Sequence, residues 1–297
     1  MGLPEYVHIT EVGPRDGLQM EKQVIDTSTK CELILGLVAA GIHAVQVGAF
    51  VHPRRVPQMA DAEAVVAQLP LVDDVQFSAL TLNMKGVVRA LRTGLPWIEV
   101  SIAVSETQSG NNVGMSVEQA RREARAMIAA VRSAGRKVRA SIQCAFGYTD
   151  PLEIAGEQVA EMARFLLDQG VSMLLPADTT GMATPDAVRR LLDLLLPLAG
   201  RVPLGLHLHD TRGLGLVNVM AALQMGVSHF DSSLGGLGGC PFIAGAAGNI
   251  ATEDAVHFLT SLGIRTGIDT GKVSAWSRRL SAVCGREPAG RYWGAGK

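Results

Sequence analysis

The chain has 297 residues, of which 47% are hydrophobic and 19% charged, with a formal net charge of −1. That balance excludes a disordered chain, and a unit of this length buries about 75% of the surface its unfolded form exposes, so its core needs no disulfide or metal. Near-zero charge with only 4% aromatic residues speaks against a nucleic-acid binder or a membrane-surface protein.

Short β-branched runs alternate with longer amphipathic stretches along the whole chain. Strands are expected at 7–12, 44–47, 75–79, 97–103, 138–144, 171–175, 204–208 and 229–232. Helical periodicity falls between and after them at 28–40, 60–68, 84–93, 116–134, 153–169, 185–196, 215–225 and 253–262. Thr184-Pro185 reads as an N-cap followed by an N1 proline, and Gly41, Gly94, Gly135, Gly170 and Gly226 each stand where a helix stop belongs. Eight strand–helix units in series call for a parallel sheet. No G-x-G-x-x-G follows the first strand, and polar clusters follow several different strands. An α/β fold of the (β/α)8 TIM-barrel type is therefore favoured over an open doubly wound sheet. The barrel is expected over about 5–262 and a short C-terminal helical extension over about 263–297, as one domain.

Processing and compartment signals are few. The cysteines at 31, 144, 240 and 284 contain no C-x-x-C pair, which suits a reducing cytoplasm better than a disulfide framework. Asp193 and Pro197 interrupt the Leu-rich stretch near 190, so no membrane span is expected. Strand-like sequence begins by residue 6, and a signal or transit peptide is not expected.

A barrel of this type gathers its chemistry at the C-terminal ends of its strands. After the first strand stands Gly13-Pro14-Arg15-Asp16-Gly17-Leu18-Gln19, where Arg15 offers a cation for an oxyanion and Asp16 a carboxylate for a metal or a proton. After the seventh stands His207-Leu208-His209-Asp210. Residues two apart on a strand face the same way, so both imidazoles meet the mouth together and suit a divalent metal. After the eighth comes a glycine-rich run, Leu234 through Gly248, with Cys240 in it, read as a mobile lid. Thr252-Glu253-Asp254 then opens the last barrel helix and places Asn249 just before it, its amide within reach of the metal. Gln46, Ser105-Glu106, Gln143-Cys144 and Asp178 close the second, fourth, fifth and sixth strands.

Taken together, these motifs resemble the 3-hydroxy-3-methylglutaryl-CoA lyases, a TIM-barrel family of metal-dependent enzymes. The resemblance rests on Val12 to Gln19, Val56-Pro57-Gln58-Met59, Asp178-Thr179-Thr180-Gly181 and His207 to Thr211. It continues through Ala222-Leu223-Gln224-Met225-Gly226-Val227, Gly236-Leu237-Gly238-Gly239-Cys240-Pro241 and Gly248 to Asp254. It implies retro-Claisen cleavage of an acyl-CoA thioester to acetyl-CoA and acetoacetate or a related 3-oxo acid. Mg²⁺ or Mn²⁺ would be held by Asp16, His207, His209 and Asn249, acting on the 3-hydroxyl of the substrate. Arg15 would stabilise the enolate oxygen, Cys240 would return a proton to the acetyl-CoA carbanion, and Asp16 or His207 would take the first proton. Arg15, Gln19, Gln46 and Asp178 are the candidate substrate contacts. The partner is thus a small acyl-CoA, and a homodimer is an expectation from the resemblance alone.

The departures from the family pattern are local. Gln46 and Ala49 stand where the family carries a Glu and a Ser, and Ser109-Gly110-Asn111 replaces basic residues, although Asn112 matches. Phe242 stands for a Tyr, and Gly285 and Glu287 stand for an Asn and a Lys that help hold CoA. These changes suggest an acyl substrate different from 3-hydroxy-3-methylglutaryl-CoA. Two alternatives share the motifs: a synthase condensing acetyl-CoA with a 2-oxo acid, and a non-catalytic metal- or acyl-CoA-binding relative.

Overall fold

A computed structural model describes residues 2–70, 74–240, 243–285 and 287–292. Eight parallel strands form one sheet: β1 (His8–Glu11), β2 (Ala44–Ala49), β3 (Gln76–Thr81), β4 (Trp97–Ala103), β5 (Lys137–Gln143), β6 (Met173–Pro176), β7 (Leu206–His207) and β8 (His229–Ser232). Their order is β6-β5-β4-β3-β2-β1-β8-β7, and parallel bridges Leu174↔Leu204 and Ala177↔His207 join β6 to β7 and close the ring. The helices are α1 (Thr27–Ala39), α2 (Ala62–Gln68), α3 (Met84–Leu91), α4 (Glu106–Val113), α5 (Val117–Ser133), α6 (Gly156–Asp168), α7 (Pro185–Ala199), α8 (Gly215–Gln224), α9 (Thr252–Ser261) and α10 (Thr270–Cys284). No helix among the described residues is long and apolar enough to cross a membrane.

Local chemistry explains most boundaries. Thr184 caps α7 by accepting the Ala187 N–H, with Pro185 inside the first turn. The five helix-stop glycines all adopt left-handed φ, between 71° and 92°. Helix α4 was not expected, because Glu106-Thr107-Gln108-Ser109-Gly110-Asn111-Asn112-Val113 is polar and poor in helix formers. Its two ends supply what its middle lacks. Ser105 accepts the Gln108 N–H, and Gly114 ends the helix at φ 71°. Strand β7 is shorter than expected because its flanks pair elsewhere: Leu204 bridges β6, and His209 bridges Asn249 in antiparallel fashion.

The strands sort their residues between two environments. On β4, Ile98, Val100 and Ile102 join the apolar core, while Glu99 and Ser101 line a cavity at the barrel mouth. Strand β5 repeats the alternation, with Val138, Ala140 and Ile142 in the core and Ser141 and Gln143 on the cavity. The register sets Glu99 beside Arg139 and Ser101 beside Ser141. The lumen is therefore polar, and its Arg139 pairs with Glu99 of the neighbouring strand and with Asp231 of the more distant β8.

The extension folds back as α10 against α1. A Cβ at Gly36 would lie 1.9 Å from the Trp276 indole nitrogen, so only glycine lets the two helices come this close. Gly285 ends α10 at φ 68°, a left-handed position that Gly and Asn, the residue expected there, both tolerate.

Candidate active site

The mouth is built first by the turn after β1. Residues Gly13–Gly17 form a single π-helical turn in which the Val12 carbonyl accepts the N–H groups of Arg15 (3.0 Å) and Asp16 (2.7 Å). Glu11 fixes this turn from below. Its Oε1 accepts the N–H groups of Gly13 and Leu234, and its Oε2 accepts the Thr252 hydroxyl. One buried carboxylate thereby joins the first strand end, the loop after β8 and the start of α9.

Burial pushes the Glu11 carboxyl from the ordinary 4.5 up to about 7, against its hydrogen bonds from Thr252, Leu234 and Gly13. The folded state then holds a proton that the unfolded state has released, so folding stability falls as pH rises from about 4.5 to about 7 and levels off above. A fully buried shift of this size corresponds to about 3–4 kcal/mol. Urea unfolding of wild type and Glu11→Gln across that window is expected to show the slope in wild type and its loss in the variant. Equal slopes would remove Glu11 as its source.

Strand β7 and the residues after it bring the histidines together. His207 Nε2 and His209 Nε2 lie 3.1 Å apart, and His207 Nε2 is 3.8 Å from Asp16 Oδ2. Asp16, His207 and His209 each offer a ligand atom, all within 4.8 Å of one another. Asn249 Nδ2 donates to Asp16 Oδ2 at 2.8 Å and to the Leu237 carbonyl at 3.0 Å. Gly238, at φ 107°, leaves room for that amide, since a Cβ there would lie 2.5 Å from it.

The electrostatics favour a cation. Burial would raise the Asp16 carboxyl, but Arg15, His207, His209 and the Asn249 hydrogen bond outweigh it and hold it well below the usual range. Burial and the neighbouring His207 lower His209 to about 3, so its imidazole stays neutral as a metal ligand must be. Two ring nitrogens facing each other can share one proton at most, and His209 Nδ1 is buried without a partner. Two imidazoles, a carboxylate and an amide form a donor set that fits a divalent ion with oxygen and nitrogen preference.

A second layer holds the first. His207 Nδ1 lies 3.1 Å from Asp231 Oδ2. Asp231 in turn takes hydrogen bonds from Arg139, which is fully buried. Burial alone would lower His207, but the bond to Asp231 raises it above its ordinary value. Such a carboxylate behind a ligand histidine fixes its tautomer and strengthens its donor nitrogen.

The candidate residues do not all play one part. Arg15, Asp16, Gln19, His207 and His209 line a mouth cavity of about 450 Å³, and Gln19 Oε1 is buried without a partner. Gln46 lies fully buried beneath Arg15, whose Nε donates to its Oε1. Asp178 does not line the cavity. Its Oδ1 instead accepts the N–H groups of Met182 and Ala183 and shapes the turn after β6. The Cys240 side chain and Phe242 lie outside the described residues. The backbone on either side of them forms an antiparallel ribbon, β9 (Gly239–Cys240) with β10 (Ile243–Ala247), within the glycine-rich run read from sequence as a mobile lid. Cys144 is a different thiol: burial pushes it up to about 12, too high for proton transfer near neutrality.

Sequence reasoning missed Glu99, Arg139, Ser141 and Asp231. The available signal was a charged or hydroxyl residue at every second place of a strand otherwise apolar.

Comparison with known proteins agrees with this geometry. The HMGL-like family model matches residues 6–279. Over 291 residues the chain is 39% identical to 3-hydroxy-3-isohexenylglutaryl-CoA/hydroxymethylglutaryl-CoA lyase of Pseudomonas aeruginosa, covering 98% of this chain and 97% of that one. It is 38% identical to the mitochondrial hydroxymethylglutaryl-CoA lyase of Arabidopsis thaliana, matching 96% of this chain but spanning only 61% of that longer protein. Among solved structures, an HMG-CoA lyase from Acinetobacter baumannii in complex with coenzyme A and 3-methylmalate aligns with a TM-score of 0.93 at 33% identity, covering 100% of this chain and 97% of that one. The chain therefore belongs to the HMG-CoA lyase family of carbon–carbon lyases.

Proposed function

We propose that this protein cleaves 3-hydroxy-3-methylglutaryl-CoA, or a homologue differing at its 3-substituent, into acetyl-CoA and a 3-oxo acid. The observation that carries this reading is the convergence of Asp16, His207 and His209 beside the Arg15 guanidinium in one cavity. Mg²⁺ or Mn²⁺ on Asp16, His207, His209 and Asn249 would supply Lewis acidity that lowers the pKa of a bound hydroxyl.

The chain's own groups account for the remaining chemistry. The 3-hydroxyl proton goes to Asp16 or His207, the C2–C3 bond breaks as the hydroxyl becomes a carbonyl, and the electron pair passes to the thioester enolate. Arg15 places its cation where that oxyanion develops, a contribution whose loss costs about 10²–10³ in rate. A proton then returns to C2, with Cys240 as donor, and acetyl-CoA leaves. Gln19, with its unpartnered Oε1, is the group free to accept a hydrogen bond from the substrate. Leu80, Leu82, Val113 and Met115 give the cavity an apolar wall, which suits an alkyl substituent at C3. The coenzyme A bound in the Acinetobacter baumannii relative supports CoA as the carrier.

Purified protein supplied with Mg²⁺ or Mn²⁺ and 3-hydroxy-3-methylglutaryl-CoA is expected to release acetyl-CoA and acetoacetate in equal amounts. Cleavage of only longer 3-alkyl homologues would assign the enzyme to those. Condensation of acetyl-CoA with a 2-oxo acid, with no cleavage, would overturn the lyase reading in favour of a synthase.

A further inference from the structure

Arg15 owes its aim to a buried pair that meets in the lumen across β3, Gln46 of β2 and Glu99 of β4. Gln46 Nε2 donates to Glu99 Oε2 at 2.6 Å, and its Oε1 accepts from Arg15 Nε. The chemistry allows no other orientation. A guanidinium only donates and a carboxylate only accepts, so the amide must turn its oxygen to Arg15 and its nitrogen to Glu99. Glu99 is itself held on its other sides, by the Ser141 hydroxyl on Oε1 at 2.8 Å and by Arg139 Nε, 2.9 Å from Oε2. Gln46 is completely buried and Glu99 only 2% exposed, so loss of either partner leaves a buried polar group short of a hydrogen bond.

We infer that Glu99 is a positioning residue for the lyase reaction, acting through the Gln46 amide to fix the Arg15 guanidinium. This rests on the lyase reading and deepens it. An acid at position 46 would set two carboxylates 2.6 Å apart with Glu99 in place. A neutral residue at position 99 would free the Gln46 amide to rotate and would leave Arg139 with one anion fewer. One acid and one amide are therefore required across these two positions. In this chain the acid stands on β4 and the amide on β2.

The test compares wild type, Gln46→Glu, Glu99→Gln and the double swap for kcat, KM, bound metal and Tm. Each single change is expected to lower kcat by about 10–100-fold, with KM within about threefold and metal retained, since neither residue is a ligand. Each is also expected to lower Tm by about 5 °C or more, because a buried charge loses its match. The swap returns an acid–amide bond under Arg15 but leaves Arg139 without its Glu99 anion. Its kcat is therefore expected to recover to within about tenfold of wild type, above both singles, and its Tm only in part. Unchanged kcat in Glu99→Gln, or losses in the swap equal to the product of the singles, would overturn the inference. If a single variant fails to fold, a folded and active swap upholds the pairing, and a swap that also fails overturns it. Wild type that releases no acetyl-CoA refutes the lyase reading instead. The melting comparison then decides the pairing alone: recovery in the swap upholds it, and additive loss overturns it.

Discussion

His209→Ala is expected to strip the protein of its divalent ion and to lower turnover by more than about 10³-fold. The neutral His209 imidazole faces His207 Nε2 at 3.1 Å and belongs to the three-residue cluster that could hold a metal ion. Outer partners of metal sites already cost about 10–100-fold when changed, and removal of a ligand also removes Lewis acidity from the reacting hydroxyl. Among the described residues the His209 imidazole bonds only His207, and the backbone bridge to Asn249 is kept by alanine, so the variant is expected to melt close to apo wild type. Elemental analysis after gel filtration and a steady-state assay check both statements. Stoichiometric metal in the variant would refute the ligand assignment.

Arg139→Met is expected to destabilise the fold by about 3–5 kcal/mol, the usual cost of removing one member of a buried ionic cluster. Arg139 has no exposed side-chain surface, and its ion pairs with Asp231 and Glu99 are both in the barrel lumen. Methionine fills a similar volume but leaves the Asp231 and Glu99 carboxylates without the cation they share. Adding Asp231→Asn and Glu99→Gln to the same chain neutralises both acids and is expected to recover much of the loss, though not the activity. Urea unfolding of the three proteins measures this. A loss below about 1 kcal/mol for Arg139→Met would mean that water reaches the cluster and screens it.

The parts of the site visible in the sequence are those set by local spacing. Two histidines separated by one residue at a strand end must share a face, and Arg15-Asp16 directly follows the first strand; both lie at the mouth, as the barrel requires. The supporting layer depends on contacts between distant residues. Arg139 and Asp231 are 92 positions apart, and Glu99 meets Arg139 only through the β4–β5 register. Alternation on β4 and β5 is a signal that these side chains face the lumen, but it does not say which charge each meets. Asp178 shows the same limit: its place at a strand end does not announce that its Oδ1 caps the turn that follows. Helix α4 was hidden because its stability comes from two caps rather than from its composition. The β9–β10 ribbon was hidden because its glycines show no alternation of apolar and polar side chains.

Metal dependence of cleavage tests the central claim most directly. Protein stripped with EDTA is to be titrated with Mn²⁺ while bound metal and acetyl-CoA release from 3-hydroxy-3-methylglutaryl-CoA are followed together. The expected result is no release from the stripped protein and a rise in release that saturates at one Mn²⁺ per chain, with His209→Ala flat throughout. Release that is undiminished after stripping, or one tightly bound Mn²⁺ per chain with no cleavage of any 3-hydroxy-3-alkylglutaryl thioester, would contradict it.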